Sequence, residues 1–307
     1  MAKVALVTVH GMGETKVGYA NELIAKLRVM LGPEVADVSF QTVYYQRHLQ
    51  DNQDELWRRC TRARRLNWQM PRRFMLFNFS DAVGLEAGKD ETDSSYHSAQ
   101  VEVARAMLQA RGPTGDDVPV VVLAQSLGGQ VFSCYLYDAQ RAQRFERKGV
   151  GSLPPAGIWR DVKGSLEQAL DRVISEDDKD YLRGSTVRAF ITTGCNIPIF
   201  VAAHKRMSIR PIAKPNDKGF EWHNYFNPND VLGWPLQPLS DDYNNLVQDH
   251  SVRAGNLLKW WNPLSHGEYW TDRVVLDAVA SQLKRALAQQ RAEQPVALVP
   301  PRVAAEL

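Results

Sequence analysis

Short apolar runs that end at glycine turns alternate along this chain with stretches whose apolar residues recur every three or four positions. Val4 to Val9 is an unbroken apolar run rich in valine that ends at His10-Gly11-Met12-Gly13, the pattern of a buried strand entering a tight turn. Leu23, Ile24, Leu27 and Leu31 follow at helical spacing, and Gly32-Pro33 stops them. Val38 to Tyr45 alternates apolar and polar positions and predicts a second strand. A strand-helix-strand opening of this kind implies a parallel sheet with right-handed crossovers.

Residues 47–93 exceed a minimal crossover. Leu56, Cys60, Ala63 and Leu66 share one helical face while Arg58, Arg59, Arg62, Arg64 and Arg65 crowd the rest, so an inserted basic amphipathic helix is predicted, with Arg72 and Arg73 beyond it. Gly84 to Ser95 reads as a loop and Ser98 to Arg111 as a helix. Val118 to Ala124 is the strongest strand pattern and runs straight into Gln125-Ser126-Leu127-Gly128-Gly129, after which Val131, Phe132, Tyr135 and Leu136 resume helical spacing. Residues 144–186 read as a second insertion, with a helix near Leu166 to Ile174. Val187 to Thr193 and Trp222 to Phe226 predict two further strands, Gln248 to Val252 a weak sixth, and Tyr269 to Ala288 a long terminal helix. The expected architecture is a three-layer αβα sandwich with a mostly parallel sheet of about six strands. Residues 1–290 form one domain on this reading, with 291–307 as a tail.

Composition narrows the class without changing it. The chain has 307 residues, 44% apolar and 23% charged, which excludes disorder and fibrous repeats. A net charge of +2 gives no global signal for nucleic acid or an anionic membrane. The three cysteines, Cys60, Cys134 and Cys195, form no CxxC pattern, so no disulfide framework or zinc cluster is encoded, and they read as core residues. The first residues lack the charged and apolar regions of a secretory signal, which together with the cysteine usage reads as a cytoplasmic protein.

Chemistry enters at the third strand. A serine on a tight strand-to-helix turn is pushed outward near the positive end of the following helix, and small residues must flank it. Ala124-Gln125-Ser126-Leu127-Gly128 has that form, with alanine where the strict G-x-S-x-G pattern has its first glycine. Acyl transfer also needs two backbone N–H groups aimed at a developing oxyanion, one from the residue after the nucleophile and one from an earlier strand-end loop. His10-Gly11-Met12-Gly13 supplies such a loop, which assigns the donors to Met12 and Leu127. The competing reading, a phosphate turn, lacks both the GxGxxG spacing and the lysine of a P-loop.

Through these two elements the chain resembles the α/β-hydrolase superfamily, in particular its compact esterase and lipase branch. The resemblance covers roughly residues 1 to 290, leaves the two insertions outside it, and begins at the HG-bearing strand, which implies a sheet without the family's two leading strands. It implies a nucleophile, acid, histidine order, met by Ser126, by Asp230 in Asn227-Pro228-Asn229-Asp230, and by His266 in Ser265-His266-Gly267. His204, His223 and His250 compete for the histidine role, and Asp217, Asp241, Asp242 and Asp249 for the acid. In this family His10 orients the loop backbone with Gly11 and Gly13 and moves no proton.

The implied activity is hydrolysis of a small-molecule carboxylic ester, with no metal or organic cofactor and no nucleic acid partner. A thioesterase, amidase or acyltransferase could use the same triad. A binding module of a different class could use Arg58, Arg59, Arg62 and Arg65 to contact an anionic surface. The aromatic residues Trp222, Trp234, Trp260, Trp261 and Trp270, with Tyr225, Phe226, Tyr243 and Tyr269, fit an apolar pocket as well as they fit the core. Residues 232–263 are a candidate lid or pocket wall.

Overall fold

The computed structural model describes residues 2–48, 50–63, 66–89, 91, 94–112, 115–149, 152–203, 209–254 and 266–293. Its strands are β1 (Val4–Val9), β2 (Val38–Val43), β3 (Val120–Gln125), β4 (Val187–Thr193), β5 (Glu221–Phe226) and β6 (Val247–Ser251). They form a six-stranded sheet in the order β2-β1-β3-β4-β5-β6, and every neighbouring pair is parallel. The helices are α1 (Asn21–Leu31), α2 (Gln50–Ala63), α3 (Gln69–Ala87), α4 (Ser95–Arg111), α5 (Leu127–Lys148), α6 (Glu176–Leu182), α7 (Ile197–Ala202), α8 (Asp241–Leu246) and α9 (Arg273–Glu293).

Helices cover both faces of the sheet. On one face Val4, Leu6, Val121, Leu123 and Ile191 pack with Leu23 and Leu27 of α1 and Val275, Val279 and Leu283 of α9. On the other, Ala5, Val7, Val122, Ala124 and Phe190 pack with Met107 of α4 and Phe132, Tyr135 and Leu136 of α5. Every residue of β1 is buried, as is every residue of β4, which is why these strands read as unbroken apolar runs. The result is the three-layer αβα sandwich expected from the sequence, with a sheet of six parallel strands.

The insertions differ from expectation. Residues 47–93 hold two helices rather than one, because α3 runs on through Gly84 to Ala87 and buries Leu85 against the core. The face of α2 carrying Leu56 and Cys60 is exposed; Gln53 is the buried position among the described side chains of that helix. Cys60 is therefore no core residue, whereas Cys195 is buried and Cys134 half-buried. Between Leu166 and Ile174 the expected helix is only a wide turn and a one-turn helix, ended by Asp171 in the left-handed region at φ 49°. The regular helix there is α6, started by a capping box between Ser175 and Asp178. The terminal helix begins at Arg273, after a separate turn at Tyr269–Thr271 that places Tyr269 and Trp270 near the sheet's carboxyl end.

Strand order positions the site. β2 lies on one side of β1 and β3 on the other, so the connections after β1 and β3 diverge and leave a crevice beyond the carboxyl ends of these strands. His10 follows β1 and Ser126 follows β3, which puts both sequence motifs at this crevice.

Candidate active site

Ser126 stands between β3 and α5 with φ 53° and ψ −122°, backbone angles that non-glycine residues rarely adopt. Its own N–H donates to the Thr193 carbonyl (2.9 Å), which anchors the turn to β4. The small residues around it are required by contact. A Cβ on Gly128 would lie 2.5 Å from the Val9 carbonyl oxygen and closer still to that of His10. A Cβ on Gly11 would lie 2.9 Å from the Ser126 Cβ. The two motifs are thus packed backbone to backbone. Leu127 opens α5, where first-turn N–H groups have no intrahelical acceptor.

The structure brings Asp230 and His266 together. His266 Nδ1 is 2.8 Å from Asp230 Oδ2. The Asp230 side chain is fully buried, and its charge is met by two further donors: Tyr269 Oη (2.9 Å, to Oδ2) and the Leu232 N–H (3.0 Å, to Oδ1). Gln125 Nε2 donates to the His266 carbonyl (2.7 Å), tying the histidine loop to the serine turn. Ser126 Oγ and His266 Nε2 are both buried without a hydrogen-bond partner among the described residues, as are Trp270 Nε1 beside them and several atoms away from the cleft. Ser126 and His266 line the same cleft. The other candidates lie elsewhere. His223 and His250 bond to each other (3.0 Å), Asp249 accepts the Leu236 and Gln237 N–H groups, and Asp241 and Asp242 occupy the first turn of α8. His204 falls outside the described residues.

His10 is buried at the base of the glycine loop. Its Nδ1 donates to the Gly11 carbonyl (2.7 Å), its Nε2 accepts the Tyr45 N–H (3.2 Å), and its ring stacks on Tyr45 at 4.0 Å. Both nitrogens are used by the neutral ring, and burial lowers its pKa from 6.5 to about 4. Below pH 6.5 the unfolded chain takes up a proton that the folded chain refuses, so this contribution to stability is full above pH 6.5 and lost as the pH falls toward 4. At pH 5 the loss is about 2 kcal/mol by linkage. Urea unfolding at pH 7 and pH 5 should show it, and His10→Gln should flatten the difference.

Sequence reasoning missed how the insertion reaches the loop. Asp81 of α3 is fully buried, accepts the Gly13 N–H (2.8 Å), and also accepts from Gln53 of α2. Burial raises its pKa. Nothing in the local pattern marks this aspartate, since its partner lies 68 residues away. Tyr269 is buried in the core, one of the two places its pattern allows, and its hydroxyl there bridges Asp230 and the Asn227 N–H; burial beside that carboxylate raises its pKa, keeping the phenol a donor.

The cleft has a volume of about 930 Å³ and is lined by Met12, Tyr19, Leu23, Phe74, Phe77 and Trp270 around Ser126 and His266. Arg73 of α3 is ion-paired with Glu14 at its exposed rim (Nε to Oε2, 2.7 Å). Its outer wall is α3; no residue from 232 to 254 lines it, and 255–263 fall outside the described residues. Trp222 and Tyr243 belong to the core, Trp260 and Trp261 fall outside the described residues, and among the described tryptophans of the last third Trp270 lines the cleft. Among the described residues no group of three or more His, Cys, Asp or Glu is placed to hold a metal ion, and no helix is long and apolar enough to cross a membrane.

No protein-family model matches the chain, and no curated protein matches it. Among solved structures it is similar to an acetylxylan esterase, with 10% identity, coverage of 94% of this chain and 100% of that one, and a TM-score of 0.36. It is also similar to the NocB thioesterase domain solved as a covalent complex with a fluorophosphonate nocardicin G analogue, with 14% identity, coverage of 93% and 95%, and a TM-score of 0.31.

Proposed function

We propose that the protein is a serine hydrolase of carboxylic esters, working through Ser126, His266 and Asp230. The observation that carries this reading is the conjunction at the cleft. A buried serine oxygen without a partner stands on a strained turn, and a histidine lines the same cleft with one nitrogen free and the other held by a buried carboxylate. A serine serving only to cap α5 would bond the helix N–H groups, and Ser126 makes no such bond.

His266 Nε2 removes the Ser126 proton as Oγ attacks the ester carbonyl carbon. The negative charge that forms on the carbonyl oxygen is taken up by the Met12 and Leu127 N–H groups. As the tetrahedral intermediate collapses, the C–O bond breaks and His266 returns the proton to the leaving alcohol. Water then attacks the acyl-enzyme by the same route and releases the acid. Asp230 holds the tautomer with the proton on Nδ1 and stabilises the imidazolium. No metal or organic cofactor is needed. The apolar cleft suits an apolar acyl or alcohol group. The binding-module reading is weakened because Arg58 and Arg59 are paired with Glu55 on their own helix and Arg73 with Glu14; Arg65 falls outside the described residues.

The direct test is labelling of the purified protein with a fluorophosphonate probe, followed by intact mass and peptide mapping. One adduct, on the peptide carrying Ser126, is expected. Folded protein that takes up no probe, or an adduct elsewhere, would overturn the assignment.

Asp81 gives a second prediction. By holding the Gly13 N–H it fixes the loop that presents Met12, and loss of one oxyanion donor costs about 10²- to 10³-fold in turnover. Asp81→Ala should therefore lower kcat on a soluble ester by about 10²-fold with little change in KM. Asp81→Asn, which keeps an acceptor oxygen for Gly13, should recover most of it. Equal losses in both variants would mean that Asp81 does not act through this bond.

A further inference from the structure

α3 is apolar on two opposite faces. Phe77 and Leu85 point inward and are buried, whereas Met75, Phe79 and Val83, spaced four residues apart, form an outer stripe that is 52%, 48% and 63% exposed. A helix apolar all round is ordinarily covered all round. Here the outer face has no covering element among the described residues, and other apolar side chains of the same hairpin are exposed with it. Trp68, immediately before α3, is 78% exposed, and Leu56 of α2 is 48% exposed. Scattered surface leucines need no explanation, but a row of large apolar groups on one hairpin does.

From Leu56 to Ser80 the sequence holds seven arginines and neither aspartate nor glutamate. Arg58 and Arg59 are paired with Glu55 and Arg73 with Glu14, and Arg64 and Arg65 fall outside the described residues, which leaves Arg62 and Arg72 as the cations without a carboxylate partner among the described residues. Arg72 lies three residues before Met75, on the side of the stripe, and both it and Arg62 of α2 are exposed. An outer face with Met, Phe, Val and Trp, edged by arginine, is the composition of an element lying in the headgroup region of a bilayer. A second copy of this chain is disfavoured as the cover, since a two-fold contact through this face would bring the arginine-rich segment against itself. Position adds to the argument: Phe74 and Phe77 of the same helix line the cleft holding Ser126 and His266.

The geometry points to the α2–α3 hairpin as a docking surface for an anionic phospholipid bilayer. Trp68, Met75, Phe79 and Val83 enter the headgroup region, and Arg62 and Arg72 meet lipid phosphates. Resting on the esterase reading above, it follows that the cleft opens at the lipid surface and that its substrate is an ester borne by the lipid phase.

The test measures binding apart from turnover. Full-length Ser126→Ala protein, which cannot consume lipid, is floated with phosphatidylcholine vesicles and with vesicles that also contain phosphatidylglycerol. Binding to the anionic vesicles is expected, weakening in high salt, and falling roughly tenfold or more in Arg62→Gln/Arg72→Gln and in Met75→Ser/Phe79→Ser/Val83→Ser. The wild-type backgrounds of both variants should unfold at the parent's temperature and hydrolyse a short soluble ester at the parent's rate, since none of these residues lines the cleft. Absence of vesicle binding, or binding unchanged in both variants, overturns the docking surface. A concentration-dependent dimer that the triple serine variant dissolves, without vesicle binding, overturns it in favour of self-association. Vesicle binding by a protein that takes up no fluorophosphonate leaves the docking surface standing and removes only the substrate clause.

Discussion

Ser126→Ala is expected to lower kcat on a soluble ester by about 10⁶-fold, and His266→Ala by a similar factor, with the double variant no worse than either alone. The non-additivity follows from the mechanism, because the serine is a competent nucleophile only while the histidine can take its proton. What remains should be the modest acceleration supplied by binding and the oxyanion donors. Stability should respond in the opposite sense to most buried substitutions. Ser126 Oγ makes no hydrogen bond, so its removal leaves no orphaned partner and deletes a buried polar atom that was itself unpaired. An unfolding midpoint at or slightly above that of the parent, together with activity lost, would separate a catalytic role from a structural one. A variant that unfolds early, or one that keeps its turnover, would remove Ser126 from the mechanism.

Legibility in the sequence followed burial. β1 and β4 are covered on both faces, so their patterns were continuous apolar runs with little ambiguity. β6 is an edge strand in which only Val247 is buried, and alternation had almost nothing to mark there. The serine turn and the glycine loop were legible because each is local: steric demands at φ 53° and at the Gly128 contact act on residues adjacent in sequence. Asp230 and His266 are proposed from chain order, which depends on the sheet and not on their neighbours. The cleft wall was not legible. Residues 232–263 were the candidate because they lie between acid and histidine; 232–254 do not line the cleft and 255–263 fall outside the described residues, whereas α3 does line it, and its apolar residues point both ways and so give no clean helical period. Asp81 escaped for the same reason that makes it informative: a buried aspartate in an insertion gains meaning only from the Gly13 N–H and the Gln53 amide that fold onto it.

Asp230→Asn should cost about 10⁴-fold in kcat while leaving KM nearly unchanged. The substitution preserves shape but reverses one hydrogen bond. Asparagine can still offer an oxygen to the Leu232 N–H, which leaves its amide NH2 facing His266 Nδ1 and Tyr269 Oη. Nδ1 must then accept, so the imidazole proton moves to Nε2, the atom that has to receive the Ser126 proton. Tyr269 cannot compensate, since its oxygen already accepts the Asn227 N–H and its own proton was directed at the carboxylate. Asp230→Ala differs in kind: it strands Tyr269 Oη, the Leu232 N–H and His266 Nδ1 together in a buried site, and stability should fall by about 1–3 kcal/mol for each group that water cannot reach. The pair of variants therefore separates tautomer control from packing. If Asp230→Asn kept near-parental kcat and fluorophosphonate labelling rate, the 2.8 Å contact with His266 would be structural only, and the acid of the mechanism would have to be sought elsewhere.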